Sequence, residues 1–211
     1  MTDPTRTPPV PPPVAPPFDL AAQARIVARL AEGVTEEQLA GATPCPDYTV
    51  RNLLGHLLGL AVAFRDAARK DLGPTTDTTP DASVPDAGPG WREELPKALD
   101  ELADAWRDPA AWTGMTRAGS VDLPGEVAAA VAADEIVVHG WDLARATGQD
   151  YAPDPVLLET AYGFLSAAVE ESGRDGNGIF GPVVPVPADA PLLDRAVGLS
   201  GRDPGWTPAA A

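Results

Sequence analysis

Cysteine and histidine are scarce in this chain of 211 residues, which has one cysteine, Cys45, and two histidines, His56 and His139. A single cysteine excludes an intramolecular disulfide and agrees with a reducing cytoplasm. Basic residues are few as well: 15 lysines and arginines stand against 31 acids, for a net charge of −16. A nucleic acid held through its phosphates needs a basic face, and an anionic bilayer needs basic clusters. Neither partner is expected, and the acidity reads as solubility. No apolar run is long enough to span a bilayer. The N-terminus, MTDPTRTPPVPPPVAPPF, has no basic region leading into an apolar core, so it does not read as a secretion signal. A glycine-rich phosphate loop is missing, and no stretch alternates convincingly as a strand. VVPVP comes nearest, and its prolines demote it.

What is present is helical. Alanine supplies much of the apolar 44%, and small side chains suit closely approaching helices. Arginine outnumbers lysine, and alanine, proline and glycine abound, a composition typical of a GC-rich bacterium. Residues 1–17 contain eight prolines and are expected as a disordered, polyproline-like tail. Leu20, Ala24, Val27 and Leu30 recur at helical spacing and predict a helix over 18–34. Leu53, Leu57, Leu60 and Phe64 predict a second over 50–71, capped by Thr49 or Asp47. Residues 72–90 read as a long mobile loop, rich in turn formers. A third helix is expected over 90–107, with Pro96 as a kink or first-turn residue. A fourth runs from after Leu123-Pro124-Gly125 to Thr147, with Gly148 as its stop. A fifth covers 154–172, with Asp154 as cap. Residues 173–211 read as an irregular proline-rich extension docked through residues such as Ile179, Phe180, Leu192 and Leu193. The expected fold class is all-α: a four-helix bundle over 18–172 with an extra helix and an irregular C-terminal tail.

Both histidines fall inside apolar helical segments. In DEIVVHGWD, residues 134–142, Glu135 precedes His139 by four positions, so the two share a helix face. A carboxylate and an imidazole so spaced can hold one metal ion. His56, in RNLLGHLLGL, is the remaining imidazole and the candidate third ligand if the second and fourth helices are neighbours. Two histidines and a carboxylate leave an open coordination position, the pattern of a catalytic site. Zinc suits these donors, and nickel, iron and manganese accept them too. The competing reading is an ordinary helix pair beside a core histidine. Asp142 is a candidate to orient His139, although a surface salt bridge with Arg145 is the favoured reading. Trp91 and Trp141 read as core residues before pocket residues. Cys45 reads as a packed loop residue, with no histidine near it in sequence.

These segments also carry a resemblance. TPCPDYTVRNLLGHLLG, residues 43–59, resembles the opening helix-loop-helix of the mycothiol-dependent maleylpyruvate isomerase family. EIVVHGWDLARATGQ, residues 135–149, looks like its later metal-binding helix. FGPVVPVPADAPLLDRAVGLSGRDPGW is similar to the tail of a subgroup of actinobacterial metal-binding proteins. The resemblance covers nearly everything after the proline tail. It implies the DinB-like superfamily, an up-and-down four-helix bundle and one divalent metal, usually zinc, on His56, Glu135 and His139. In the isomerase the metal is held to activate the thiol of mycothiol, which adds to the substrate and then leaves. By resemblance the protein is a metal-dependent thiol S-transferase or isomerase, with mycothiol as cosubstrate and a small electrophile as substrate. The isomerase carries a second α+β domain where this chain has a short proline-rich extension, so maleylpyruvate itself is not expected. Related domains in zinc-containing anti-sigma factors supply the alternative, a non-catalytic metal-binding or regulatory module. Bundles of this kind pair through a helix face, which makes a homodimer a candidate state.

Overall fold

In the computed structural model, residues 15–79, 83–173 and 180–208 are described. Most of the proline-rich tail, and Ile179, lie outside the described residues. The five expected helical stripes become α1 (Ala21–Glu32), α2 (Val50–Arg69), α4 (Trp91–Ala105), α5 (Gly125–Thr147) and α6 (Pro155–Ser172), with an unexpected one-turn α3 (Pro74–Asp77) between α2 and α4. An eight-residue α7 (Leu192–Leu199) follows. α1 and α2 each pack against both α4 and α5, closing a ring of four. α6 lies outside the ring on α5, and α7 lies on α6. The molecule is thus an all-α four-helix bundle with helices added on one side.

Leucines fill the ring: Leu53, Leu54 and Leu57 from α2 and Leu95, Leu99 and Leu102 from α4 are fully buried. Each contributes about 1.5–3 kcal/mol relative to exposure. α5 has neighbours on several sides, since α1, α2 and α6 all pack against it. It is accordingly apolar nearly all round, with Ala128, Ala129, Ala132 and Ala133 fully buried where helices approach closely. A polar residue in the second half of α5 is therefore buried too, and must find a partner inside the protein.

Local chemistry sets the ends. Thr49 and Asn52 form a reciprocal capping box at the start of α2: the Asn52 amide donates to Thr49 Oγ1, and the Thr49 amide to Asn52 Oδ1. Asp154 caps α6 by accepting from the Val156 and Leu157 amides. Gly148 ends α5 at φ 70°, a conformation glycine adopts freely. α4 begins at Trp91 and runs through Pro96, so the proline sits within the helix.

Three segments differ from expectation. The 72–90 connection holds α3 and then docks on α2. Asn52 Nδ2 donates to the Pro85 carbonyl at 2.8 Å. A Cβ at Gly55 would lie 2.5 Å from the Asp86 carbonyl carbon, so glycine lets this segment cross one residue before His56. A hairpin forms where no strand was read: β1 (Met115–Ala118) pairs with β2 (Val121–Pro124). Its turn, Gly119-Ser120, takes positive φ at both residues, the geometry of a tight hairpin turn. Four-residue strands are too short to show alternation. The C-terminal extension is not wholly irregular, because α7 buries Ala196 and Val197. VVPVP forms no strand.

Candidate metal centre

Packing of α2 against α5 brings His56 onto the face that carries Glu135 and His139. Glu135 Oε2 lies 3.1 Å from His139 Nε2 and 3.5 Å from His56 Nε2. The three donor atoms fall within 4.8 Å of one another. Oε2 is buried yet makes no hydrogen bond, so both approaches lack hydrogen-bond geometry. Donors about 2.0–2.1 Å from one tetrahedral ion stand roughly 3.3 Å apart. The three residues therefore fit a divalent ion. The two imidazole rings meet edge to face, with centroids 4.6 Å apart. The His56 and Glu135 side chains keep 23% and 25% of their surface exposed, against 11% for His139. The cluster is thus only partly exposed, through the His56 and Glu135 side chains, and Glu135 Oε2 itself is buried. Burial raises the Glu135 carboxyl, but the two imidazoles outweigh it and hold it well below the ordinary range.

A second set of contacts grips the other edge of His139. Its Nδ1 lies 2.9 Å from Asp142 Oδ2. Asp142 is fully buried, and Arg202 Nε donates to both its oxygens, at 2.8 and 3.0 Å. Burial raises the Asp142 carboxyl, but the Arg202 charge and His139 pull it below its usual range. An ionised carboxylate only accepts, so Nδ1 carries a ring proton, which leaves Nε2, on the Glu135 side, as the nitrogen a metal ion would take. Burial lowers His139, but Asp142, Cys45 and Glu135 outweigh it and hold the imidazole well above its usual value. The expected surface salt bridge between Asp142 and Arg145 does not form. Arg145 instead donates to the Trp206 carbonyl and lies over the Trp141 ring. Arg202, some 60 residues away in sequence, takes its place.

Cys45 joins this network and is more than a packed loop residue. Its Sγ lies 3.2 Å from Asp142 Oδ2 and 3.9 Å from His139 Nδ1. Arg202 donates to the same sulfur at 3.2 Å. The Thr43 hydroxyl fixes the loop by accepting from the Cys45 amide and facing the Cys45 and Tyr48 carbonyls. Cys45, His139 and Asp142 have the donor types of a metal site. The Arg202 guanidinium touches two of the three, however, and a cation there would meet that charge. The His56, Glu135 and His139 set has no such occupant. Nothing near Cys45 or Arg202 in sequence signalled the site, since the contacts to His139 and between the two span 94 and 157 residues.

Other polar and aromatic residues fall outside the cluster. Asp134 is buried, and its Oδ1 has no hydrogen-bond partner. Burial, then the Glu135 charge, raises its carboxyl well above the ordinary range. Trp91 and Trp141 are buried core residues. An open cleft of about 410 Å³ is lined by Arg51, Asp86, Trp91 and Arg92 among others, and by none of the three candidate ligands. Among the described residues, no helix is long and apolar enough to cross a membrane.

Residues 20–144 match the family model of the mycothiol maleylpyruvate isomerase N-terminal domain. That is more than half of the chain, and the protein belongs to this family. Two Mycobacterium tuberculosis proteins are similar to it: uncharacterized protein MT0763 (strain CDC 1551 / Oshkosh) and uncharacterized protein Rv0738 (strain ATCC 25618 / H37Rv). Each is 25% identical over 175 residues, covering 83% of this chain and 91% of the relative. The crystal structure of the mycothiol-dependent maleylpyruvate isomerase superposes with a TM-score of 0.60 at 16% identity, over 88% of both chains. A histidine-to-alanine mutant of the isomerase gives 0.57 at 15% identity, over 74% of this chain and 71% of that one. At such identities these structures establish a shared fold.

Proposed function

We propose that this protein is a divalent-metal-dependent enzyme of the thiol S-transferase or isomerase class. Its cosubstrate is a low-molecular-weight thiol of the mycothiol type, and its substrate a small electrophile in a reducing cytoplasm. The observation that carries this reading is the convergence of His56, Glu135 and His139 from two helices. Membership in a family described by a mycothiol enzyme supports it. Two neutral imidazoles and one carboxylate suit zinc, and accept nickel, iron or manganese. When bound, the ion supplies Lewis acidity that favours thiolate over thiol.

The chain supplies the rest. Asp142 keeps His139 in the tautomer that presents Nε2. Glu135 contributes one negative charge, so a divalent ion on these three residues keeps a net charge of +1 to attract a thiolate. Tyr48, its ring centroid 5.6 Å from that of His56, stands beside the cluster.

The test is metal content by inductively coupled plasma mass spectrometry, on untagged protein and on His56→Ala, His139→Ala and Glu135→Gln. Near-stoichiometric metal in the parent and its loss in the variants are expected. Loaded protein is then assayed for consumption of a low-molecular-weight thiol with a panel of electrophiles. Metal binding without thiol consumption turns the reading to a non-catalytic metal module. A parent that takes up no offered zinc overturns it.

A further inference from the structure

We propose that Arg202 is a positioning residue for the metal centre: it holds Asp142, Asp142 holds His139 Nδ1, and the turn after α7 thereby sets how tightly the three donors bind a divalent ion. The proposal rests on the reading of His56, Glu135 and His139 as ligands. It assigns a role to a residue beyond the stretch, 20–144, that matches the family model.

Arg202 is held on every nitrogen. Nε donates to both Asp142 oxygens, Nη2 to Cys45 Sγ, and Nη1 to the Ser200 carbonyl and hydroxyl at 3.2 Å. Its side chain is only 13% exposed. The backbone that carries it is fixed as well. The Arg202 amide donates to the Val197 carbonyl, and the Ser200 amide to the Ala196 carbonyl. Gly201 turns the chain at φ 83°, where an added Cβ would press on the Gly181 backbone at 3.0 Å. This is not a surface arginine free to swing. It is a guanidinium delivered by the end of α7, with Nε shared between the two oxygens of one buried carboxylate and its terminal nitrogens held by Cys45 and Ser200.

Removing the guanidinium changes what Asp142 can do. Asp142 is fully buried, and its remaining partners would be the Cys45 thiol and the ring it is meant to orient. A carboxylate without the donor that fixed both its oxygens turns to another rotamer or to another donor. Either change weakens its grip on Nδ1–H and frees the imidazole to rotate. Carboxylates in this relation to a ligating histidine are typically worth about 10–100-fold in metal affinity. Lysine keeps the charge but cannot reach Asp142, Cys45 and Ser200 together from one rigid plane.

A plain staple, with Arg202 tying the C-terminal segment to the bundle, predicts something else. It lowers the melting temperature and leaves the metal site alone. The experiment therefore measures the zinc dissociation constant by competition with a chromophoric chelator, on full-length parent, Arg202→Met, Arg202→Lys, Asp142→Asn and the Arg202→Met/Asp142→Asn double variant. The absorption spectrum of each cobalt(II)-loaded protein reports ligand geometry. Arg202→Met and Asp142→Asn are expected to bind zinc about 10–100-fold more weakly, with altered cobalt spectra. Arg202→Lys should fall between parent and Arg202→Met. The double variant should be no weaker than the weaker single one, since the two residues act in series. Parent-like affinity and spectrum in Arg202→Met overturn the proposal and leave a staple. Losses that multiply in the double variant overturn the route through Asp142. Should Arg202→Met fail to fold, Arg202→Lys carries the test: weakened binding supports the proposal, and parent-like binding overturns it. A parent that binds no zinc is a different result, because it removes the ligand reading itself and the proposal with it.

Discussion

At His139 two carboxylates act on opposite edges of one ring. Asp142 meets Nδ1 and Glu135 faces Nε2, so orientation and donor direction are set together. Behind this face, a neutral network ties α1 to α5. The Tyr151 hydroxyl donates to the Val137 carbonyl at 2.6 Å and accepts from Gln23 Nε2 at 2.7 Å. Gln23, fully buried, also donates to the Ile136 carbonyl and accepts from the Asp154 amide. Burial raises the Tyr151 phenol above its usual value, keeping it a donor. Tyr151→Phe leaves a buried carbonyl and an amide N–H short of a partner, which should cost about 1–3 kcal/mol. Urea denaturation checks the loss, and zinc stoichiometry should remain that of the parent. Glu135 and His139 were legible because four residues make one helical turn. Cys45 and Arg202 were not, because their meeting is a matter of how loops fall on the bundle.

At the scale of elements, the register of α2 matters most, since it places His56. The capping box at Thr49 fixes its start, and the docked segment at Asp86-Ala87 fits over Gly55. Thr49→Ala should lose about 1 kcal/mol from the cap. Gly55→Ala forces a methyl into backbone at 2.5–2.8 Å and should cost about 1–3 kcal/mol. It should also disturb zinc binding, since Gly55 immediately precedes His56 and a shift of α2 there moves that residue. Thermal melts and metal titration separate the two effects. The hairpin gives a pH prediction. Arg117 bridges Asp122 on β2 and Asp77 at the end of α3. It holds the Asp122 carboxyl below the ordinary range. A carboxylate depressed on folding contributes stability above its unfolded value, near pH 4, and loses it as the pH falls below that. In Arg117→Ala the fall in melting temperature below about pH 4 should be shallower than in the parent. The strands went unread because each is only four residues long, and their pairing depends on a Gly-Ser turn and on this cross-strand charge pair.

At the scale of the molecule, an ion held as proposed by His56, Glu135 and His139 would link binding to folding. The three donors come from two helices, so an ion there favours the packed bundle over the unfolded chain. Free zinc at 100 times the dissociation constant adds about 2.7 kcal/mol of stability. Exhaustive chelation should therefore lower the melting temperature, and returned zinc should restore it. His56→Ala should show no such response. By itself the sequence determined the helical class, most helix limits and the shared face of Glu135 and His139, because 3.6-residue periodicity, caps and i,i+4 spacing are local properties of the chain. Only the tertiary structure decided that α2 lies beside α5, that the 83–88 segment crosses at Gly55, and that Asp142 belongs to Arg202 and not to Arg145. Those outcomes depend on which apolar faces pack together and on buried charges finding their partners. Both are settled between residues distant in sequence, where spacing along the chain carries no information.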